Sequence, residues 1–194
     1  LYNTKSFGEI QGELSGACQR KNTNTLLCAM KQLLQILPAE KQEALTQALP
    51  RAFKEVTRLT GLRGRWEVIS SCPTVVCDTG HNIGGWEYLS QQVADKTYAH
   101  AHIIFGMAGD KDIDEVLRLM PQEVTYYFTR ASVKRALGEV ELQKKAETFH
   151  LQGEAYPNVS EAFACARQRA SQDDLIFVGG SNFVVADFLK AIAQ

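Results

Sequence analysis

The sequence lacks any apolar run of the roughly 20 residues that a helix needs to cross a bilayer. Its first residues, LYNTKSFGEIQGEL, contain no basic start followed by an apolar core, so we expect no signal peptide. There is no initiator methionine either, which suggests an internal cut from a longer protein. We therefore expect a cytoplasmic protein that does not contact a membrane.

The chain also lacks an excess of either sign of charge. The chain has 21 basic and 22 acidic residues, for a formal net charge of -1. Nucleic-acid-binding domains usually carry a basic excess, so no nucleic-acid partner is predicted. With 194 residues, 45% of them hydrophobic, the chain is long enough for one globular domain plus a piece of another.

The number and spacing of the cysteines fit neither a metal site nor a disulfide framework. The five cysteines are odd in number and form no C-x-x-C motif, so neither a disulfide framework nor a zinc ribbon is predicted. Cys28, Cys77 and Cys165 fall in apolar periodic segments. We expect them to be small buried side chains of a reduced, cytosolic protein, and we predict no cysteine as a metal ligand.

Residues 1–60 differ in pattern from the rest of the chain. A loose polar strand is predicted at Ser6–Leu14. Apolar spacing then predicts a helix that is capped by Asn22 or Asn24 and ends at Pro38. A second helix is predicted from about residue 39 to residue 59. Two helices and one polar strand do not make a domain alone, so this part is interpreted as the end of an incomplete domain.

Residues 61–194 alternate between apolar strands and helical patterns. The predicted strands are Trp66–Ile69, Thr74–Cys77, His102–Phe105, Val124–Phe128 and Leu175–Val178. Alternation of this kind predicts an α/β fold, a Rossmann-like, doubly wound and mostly parallel sheet with helices on both faces. A ligand is expected at the carboxyl ends of the strands.

The stretch from Gly61 to Asn82 carries the clearest candidate site. A β-branched strand ends at Asp78 and is followed by His81, at the predicted start of a helix whose free amides favour a phosphate or carboxylate. Asp78 would bind a ribose or a metal, and His81 a phosphoryl oxygen or a carboxylate. The alternative is that Asp78 is a turn residue and Asn82 only a helix cap.

Other candidates lie near further strand ends. Arg63 and Arg65 are either phosphate ligands or solvated arginines. The glycines before Ser181 allow a ligand to approach the backbone closely, and Ser181 either caps the next helix or binds a substrate carboxylate. Neither a G-x-x-x-x-G-K-[ST] P-loop nor a G-x-G-x-x-G dinucleotide fingerprint occurs in the chain.

Five motifs in order resemble a known family. They are Leu14-x-Gly16-x-x-Gln19-x-x-Asn22, Gly64-Arg65-x-Glu67, Asp78-Thr79-Gly80-His81-Asn82, Phe105-Gly106 followed by Asp110-Lys111-Asp112, and Gly180-Ser181. They are similar to L-x-G-x-x-Q-x-x-N, G-R-x-E, D-G-A-H-N, F-G…D-K-D and G-S of the folylpolyglutamate synthase/dihydrofolate synthase branch of the Mur ligase family. The third motif has Thr-Gly where the family has Gly-Ala.

The resemblance implies an ATP-dependent ligase that uses Mg²⁺ and adds L-glutamate to dihydropteroate or to a folate through an acyl phosphate. It implies that Asn22 contacts adenine, Arg65 the phosphates and Asp78 the ribose side of ATP. Arg65 and His81 would be the catalytic residues, and His81 and Ser181 would place glutamate or the acyl phosphate.

The resemblance also implies the domain organisation. Residues 1–60 would end the central ATPase domain, and residues 61–194 would form the C-terminal domain, a lid that closes on ATP held by the missing N-terminal part of the same chain. The fragment alone would then be inactive. Two alternatives stay open: a stand-alone α/β module that binds a nucleotide or an anion without catalysis, and another Mur-type ligase, such as a peptidoglycan-precursor or cyanophycin enzyme.

Overall fold

The computed structural model describes residues 1–95, 97–109 and 112–193. Within them the chain forms two compact units, Leu1–Arg63 and a second that begins at Gly64. None of the helices in the described residues combines the length and apolar character needed to span a membrane.

The first unit consists of a small hairpin and three helices. Its elements are β1 (Tyr2–Thr4), β2 (Gly8–Ile10), α1 (Gln19–Ile36), α2 (Ala39–Lys54) and α3 (Val56–Thr60). The two strands pair antiparallel. Its buried core is small and contains Ile10, Leu27 and Leu49.

Several sequence predictions for the first unit were wrong in detail. Of the strand expected at Ser6–Leu14, only Gly8–Ile10 is a strand, β2, and its partner β1 was not predicted. Neither Asn22 nor Asn24 caps α1, because the helix begins earlier and the Asn22 N–H already donates to the Cys18 carbonyl, 3.2 Å away. Cys28 is exposed because α1 buries Gln19, Thr23 and Leu27, which lie on a different face.

The second unit contains one six-stranded sheet. Its strands are β3 (Glu67–Ser71), β4 (Thr74–Asp78), β5 (Ala101–Phe105), β6 (Thr125–Thr129), β7 (Gly153–Tyr156) and β8 (Leu175–Gly179). They lie in the order β3-β4-β8-β5-β6-β7. The first pair is antiparallel and the other four neighbouring pairs are parallel. This mostly parallel α/β sheet confirms the predicted fold class.

Helices cover both faces of this sheet. Buried side chains of α4 (Ile83–Val93), α5 (Ile113–Leu119) and α6 (Glu139–Glu147) pack on one face. Those of α7 (Val159–Arg169) and α8 (Asn182–Ile192) pack on the other. Central strands that are buried on both faces show continuous apolar runs, as β8 does, and such runs were predicted. Strand β7 was missed because it lies at the sheet edge and contains the exposed Glu154.

The strand order decides which loops meet. Strand β8 inserts between β4 and β5, with Asp78 paired to Gly179 and Phe105 also paired to Gly179. The chain leaves β4 and β5 toward one face of the sheet and leaves β8 toward the other. Loops that diverge in this way form a crevice at the carboxyl ends of the strands, where α/β proteins bind ligands.

Candidate active site at the carboxyl edge of the sheet

Asp78 joins the segment before β3 to the turn after β4. Its Oδ2 accepts a hydrogen bond of 2.6 Å from the Trp66 N–H, and its Oδ1 accepts one of 2.7 Å from the Gly80 N–H. The residue is only 6% exposed. The turn role that the sequence left open is therefore observed, and little of the carboxylate remains accessible to a ligand.

Burial raises the pKa of the Asp78 carboxyl above its ordinary value of 3.8. Removal of the carboxylate from water is the larger effect, since it disfavours the charged form. The hydrogen bonds from the Gly80 and Trp66 amides and the Arg65 charge act in the opposite direction. The folded chain therefore binds a proton at Asp78 more readily than the unfolded chain does.

We expect Asp78→Asn to alter the pH dependence of stability. Because the folded pKa is raised, the contribution of Asp78 to the free energy of unfolding falls as pH rises from about 4 through the raised pKa, and it then levels off. The difference between wild type and variant should follow this curve in urea unfolding at several pH values. Asp173→Asn, which removes an exposed carboxylate, is the control. A difference that does not change with pH would contradict the assignment.

Arg65 lies beside the same turn. One guanidinium nitrogen, Nη1, donates to the Thr79 hydroxyl and to the Gly64 carbonyl, the latter at 3.1 Å. The Glu67 carboxylate accepts a hydrogen bond of 2.8 Å from the Gly64 N–H and so fixes the start of the segment. Arg65 is half-buried and anchored on one side. Among the described residues its other guanidinium N–H groups make no hydrogen bond, so they can meet an anion.

His81 and Asn82 connect this turn to α4. His81 Nδ1 lies 2.9 Å from the Thr79 carbonyl oxygen. A carbonyl oxygen only accepts, so Nδ1 carries the proton and Nε2 is the acceptor of the neutral ring. Asn82 caps α4, with its side-chain oxygen 2.9 Å from the Gly85 N–H. The capping alternative for Asn82 is therefore what the structure shows.

The loop after β8 lies next to these residues. Gly179 pairs with Asp78, and Gly180 and Ser181 follow directly. The Gly106 N–H donates to the Gly179 carbonyl at 3.3 Å, which brings the loop after β5 to the same place. Ser181 caps α8, since its Oγ accepts from the Val184 N–H at 3.1 Å. Its hydroxyl proton is not used by this bond, although the residue is only 6% exposed.

Residues 64–182, the region that holds all of these loops, match the family model described as "Mur ligase, glutamate ligase domain". The chain belongs to the Mur ligase family. A probable bifunctional folylpolyglutamate synthase/dihydropteroate synthase of Haloferax volcanii is 29% identical over 182 residues, 92% of this chain and 20% of that protein. The dihydrofolate synthase/folylpolyglutamate synthase of Escherichia coli is 29% identical over 132 residues, 68% of this chain and 31% of that protein.

Solved structures of a folylpolyglutamate synthase and of FolC share the fold. The Mycobacterium tuberculosis folylpolyglutamate synthase complexed with ADP superposes with a TM-score of 0.80 at 22% identity, over 97% of this chain and 43% of that one. Escherichia coli FolC in complex with ADP gives a TM-score of 0.62 at 27% identity, over 68% of this chain and 32% of that one. The chain therefore spans less than half the length of each of these proteins.

Two site residues of this Mur ligase chain were not predicted from the sequence. Glu67 was part of the G-R-x-E motif but was given no role, and here it holds the Gly64 amide. Thr79 was noted only as a departure from the family motif, and here it contacts Arg65. A threonine where a family motif has glycine was the one available signal.

Other predicted residues fall outside this cluster. Asn22 belongs to the first unit, where it is exposed on α1 and donates to Gln19 Oε1 at 3.3 Å. Arg63 also belongs to the first unit. The predicted Asp110 and Lys111 lie outside the described residues. Within residues 1–95, 97–109 and 112–193, no group of three or more His, Cys, Asp or Glu side chains is placed to hold a metal ion.

Proposed function

We propose that the chain is the C-terminal part of an ATP-dependent ligase that adds L-glutamate to dihydropteroate or to a folate. The observation that carries the proposal is the meeting of the Arg65, Asp78 and Ser181 loops at one edge of the sheet, inside the region that matches the glutamate ligase domain. An anchored arginine beside two helix starts suits a reaction that concentrates negative charge on oxygen.

The ligands of related proteins support the substrates and cofactors of the proposal. Escherichia coli FolC has been solved with DHPP and ADP. A bifunctional folylpolyglutamate synthase/dihydrofolate synthase has been solved with Mn, AMPPNP and L-glutamate. These names favour the folate branch over peptidoglycan-precursor and cyanophycin ligases. We propose ATP and Mg²⁺ for the enzyme, with the metal ligands in the part of it that lies outside this chain.

The chemistry assigns a role to each side chain. ATP supplies the phosphoryl group that turns the acceptor carboxylate into an acyl phosphate. Arg65 neutralises charge that develops on the phosphoryl oxygens. His81, through Nε2 or as a charged ring, and Ser181, through its hydroxyl proton, orient glutamate or the acyl phosphate. Asp78 holds the turn and faces the ribose with the small part of its carboxylate that is accessible.

The first unit has its own place in this proposal. Residues 1–60 would end the ATPase domain, and the exposed amide of Asn22 would contact adenine. Residues 61–194 would form the lid that brings Arg65 to ATP. Collecting three substrates in one site is largely an entropic problem, and domain closure is one way in which enzymes solve it.

Activity of the full-length enzyme tests the proposal directly. We expect ADP release that depends on both L-glutamate and a pteroate or folate acceptor, and mass spectrometry should show the acceptor heavier by one glutamyl group. Dihydropteroate and a folate monoglutamate are assayed separately, because each acceptor defines one of the two activities. ADP release that does not depend on either acceptor and yields no new amide would reject this function.

We expect this chain by itself to bind Mg·ATP with a dissociation constant of about 1 mM or weaker and to ligate no glutamate. The chain contains no P-loop. It therefore lacks the row of backbone amides and the lysine with which a P-loop binds phosphates. The few contacts from Asn22, Arg65 and Asp78 must offset an association cost of at least ~4 kcal/mol. Isothermal titration measures the constant. Micromolar binding would favour the stand-alone nucleotide-binding module instead.

A further inference from the structure

We propose that Thr79 is a positioning residue that holds the Arg65 guanidinium ready for the phosphoryl oxygens. This inference rests on the function proposed above and adds a residue to it. The two side chains are 14 positions apart in the sequence and meet because β3 and β4 form an antiparallel pair, with Glu67 opposite Cys77.

The hydroxyl and the backbone N–H of Thr79 both hydrogen-bond to the Gly64–Arg65 segment. Its Oγ1 accepts a hydrogen bond from Arg65 Nη1 and donates one of 3.2 Å to the Gly64 carbonyl. Its backbone N–H donates to the same carbonyl at 3.0 Å. The hydroxyl is thus used as donor and acceptor at once, and both partners belong to the segment that carries the arginine.

The methyl group of Thr79 supports the same segment. A Cβ atom at Gly64 would lie 2.8 Å from Thr79 Cγ2 and 3.0 Å from Val185 Cγ1, so the glycine backbone passes directly over the threonine. Gly64 also has a φ of +68°, a conformation that favours glycine. Packing and hydrogen bonding from one residue therefore fix both the position of the segment and the direction of Arg65.

A fixed arginine is a better catalyst than a mobile one. Arginine loses side-chain entropy when it is ordered, and a site that orders it in advance avoids that cost in the transition state. The gain appears in turnover, because the charge on the phosphoryl oxygens develops only then. Glycine, which occupies this position in the D-G-A-H-N motif that the turn resembles, offers no hydroxyl.

Kinetics of the full-length enzyme test the proposal with Thr79→Val, which keeps the shape and removes the hydroxyl. We expect kcat to fall about tenfold, with the KM values for ATP and glutamate within about twofold of wild type. Thr79→Ser restores the hydroxyl and should recover most of the turnover. The melting temperatures of both variants report whether the fold is intact.

A double variant separates this inference from the proposed function. Thr79→Val should have little further effect in an Arg65→Ala background, because the two residues act together. A large loss with Arg65→Ala but none with Thr79→Val overturns the role of Thr79 and leaves the proposed function standing. An unchanged kcat with Arg65→Ala overturns the proposed role of Arg65 and, with it, the catalytic use of the contact.

The order of the arginine gives a readout besides activity. The NMR signal of Arg65 Nε–Hε, assigned through its loss in Arg65→Lys, should report a rigid side chain in wild type and Thr79→Ser, and a mobile one in Thr79→Val. Equal mobility in all three proteins would show that the hydroxyl does not hold the guanidinium and would overturn the proposal.

Discussion

Replacing Arg65 by alanine in the full-length enzyme is expected to lower kcat about a hundredfold, which corresponds to roughly 3 kcal/mol of transition-state stabilisation. The guanidinium is anchored on Thr79 and Gly64, so its remaining N–H groups have a fixed direction. A contact that gains strength only as charge develops lowers kcat and kcat/KM together when it is lost. Steady-state kinetics with ATP, L-glutamate and a pteroate acceptor measure both parameters.

The control for Arg65→Ala is Arg118→Ala. Arg118 lies on α5 and pairs with Glu115, and its side chain is 59% exposed, so its loss removes one surface charge from the same unit. Surface pairs of this kind contribute little, and we expect kcat to stay within about twofold of wild type. An unchanged kcat for Arg65→Ala with only a raised KM for glutamate would remove Arg65 from the phosphoryl chemistry.

Gly180→Ala is expected to lower the free energy of unfolding by about 3 kcal/mol. Gly180 has a φ of +95°, in the region that disfavours residues with a side chain. A Cβ atom there would also lie 2.6 Å from Phe105 Cε2 and 2.7 Å from the Gly106 carbonyl oxygen. A backbone oxygen does not move cheaply, so the loop that carries Ser181 has to shift. Urea unfolding measures the change.

Gly138→Ala is the matched control for Gly180→Ala. Gly138 belongs to the same unit, its φ is -63°, and no atom lies within 4 Å of the position of an added Cβ. We expect the free energy of unfolding of the Gly138→Ala variant to stay within about 1 kcal/mol of wild type. Equal losses of unfolding free energy in the two variants would show that the crowding of an added Cβ at Gly180 against Phe105 and Gly106 does not destabilise the fold.

The sequence predicted the second unit better than the first. Strands β4, β5 and β8 are buried on both faces, and such strands carry apolar runs that are visible in one sequence. Strand β7 lies at the edge, keeps Glu154 exposed and gave no such run. In the first unit α1 buries only three residues, two of them polar, so its apolar pattern located neither its start nor its buried face.

The sequence predicted which residues belong to the candidate site but not how they contact one another. The motifs pointed to Arg65, Asp78, His81 and Ser181. The last three lie at or after the ends of apolar strands, and such positions are readable in the sequence. The roles of Glu67 and Thr79 were not predicted. Both depend on atoms that approach the Gly64 segment in space, and no local pattern reports such an approach.

The alternation of strands and helices, and hence the fold class, could be predicted from the sequence, because the period of apolar residues follows from how each segment is buried. Its motifs also identified the family. The insertion of β8 between β4 and β5, which brings Gly180 and Ser181 beside Asp78, is visible only in the folded chain. Strand order depends on long-range packing and on crossovers that no local period encodes. The hairpin of β3 and β4 likewise decided that Thr79 meets Arg65.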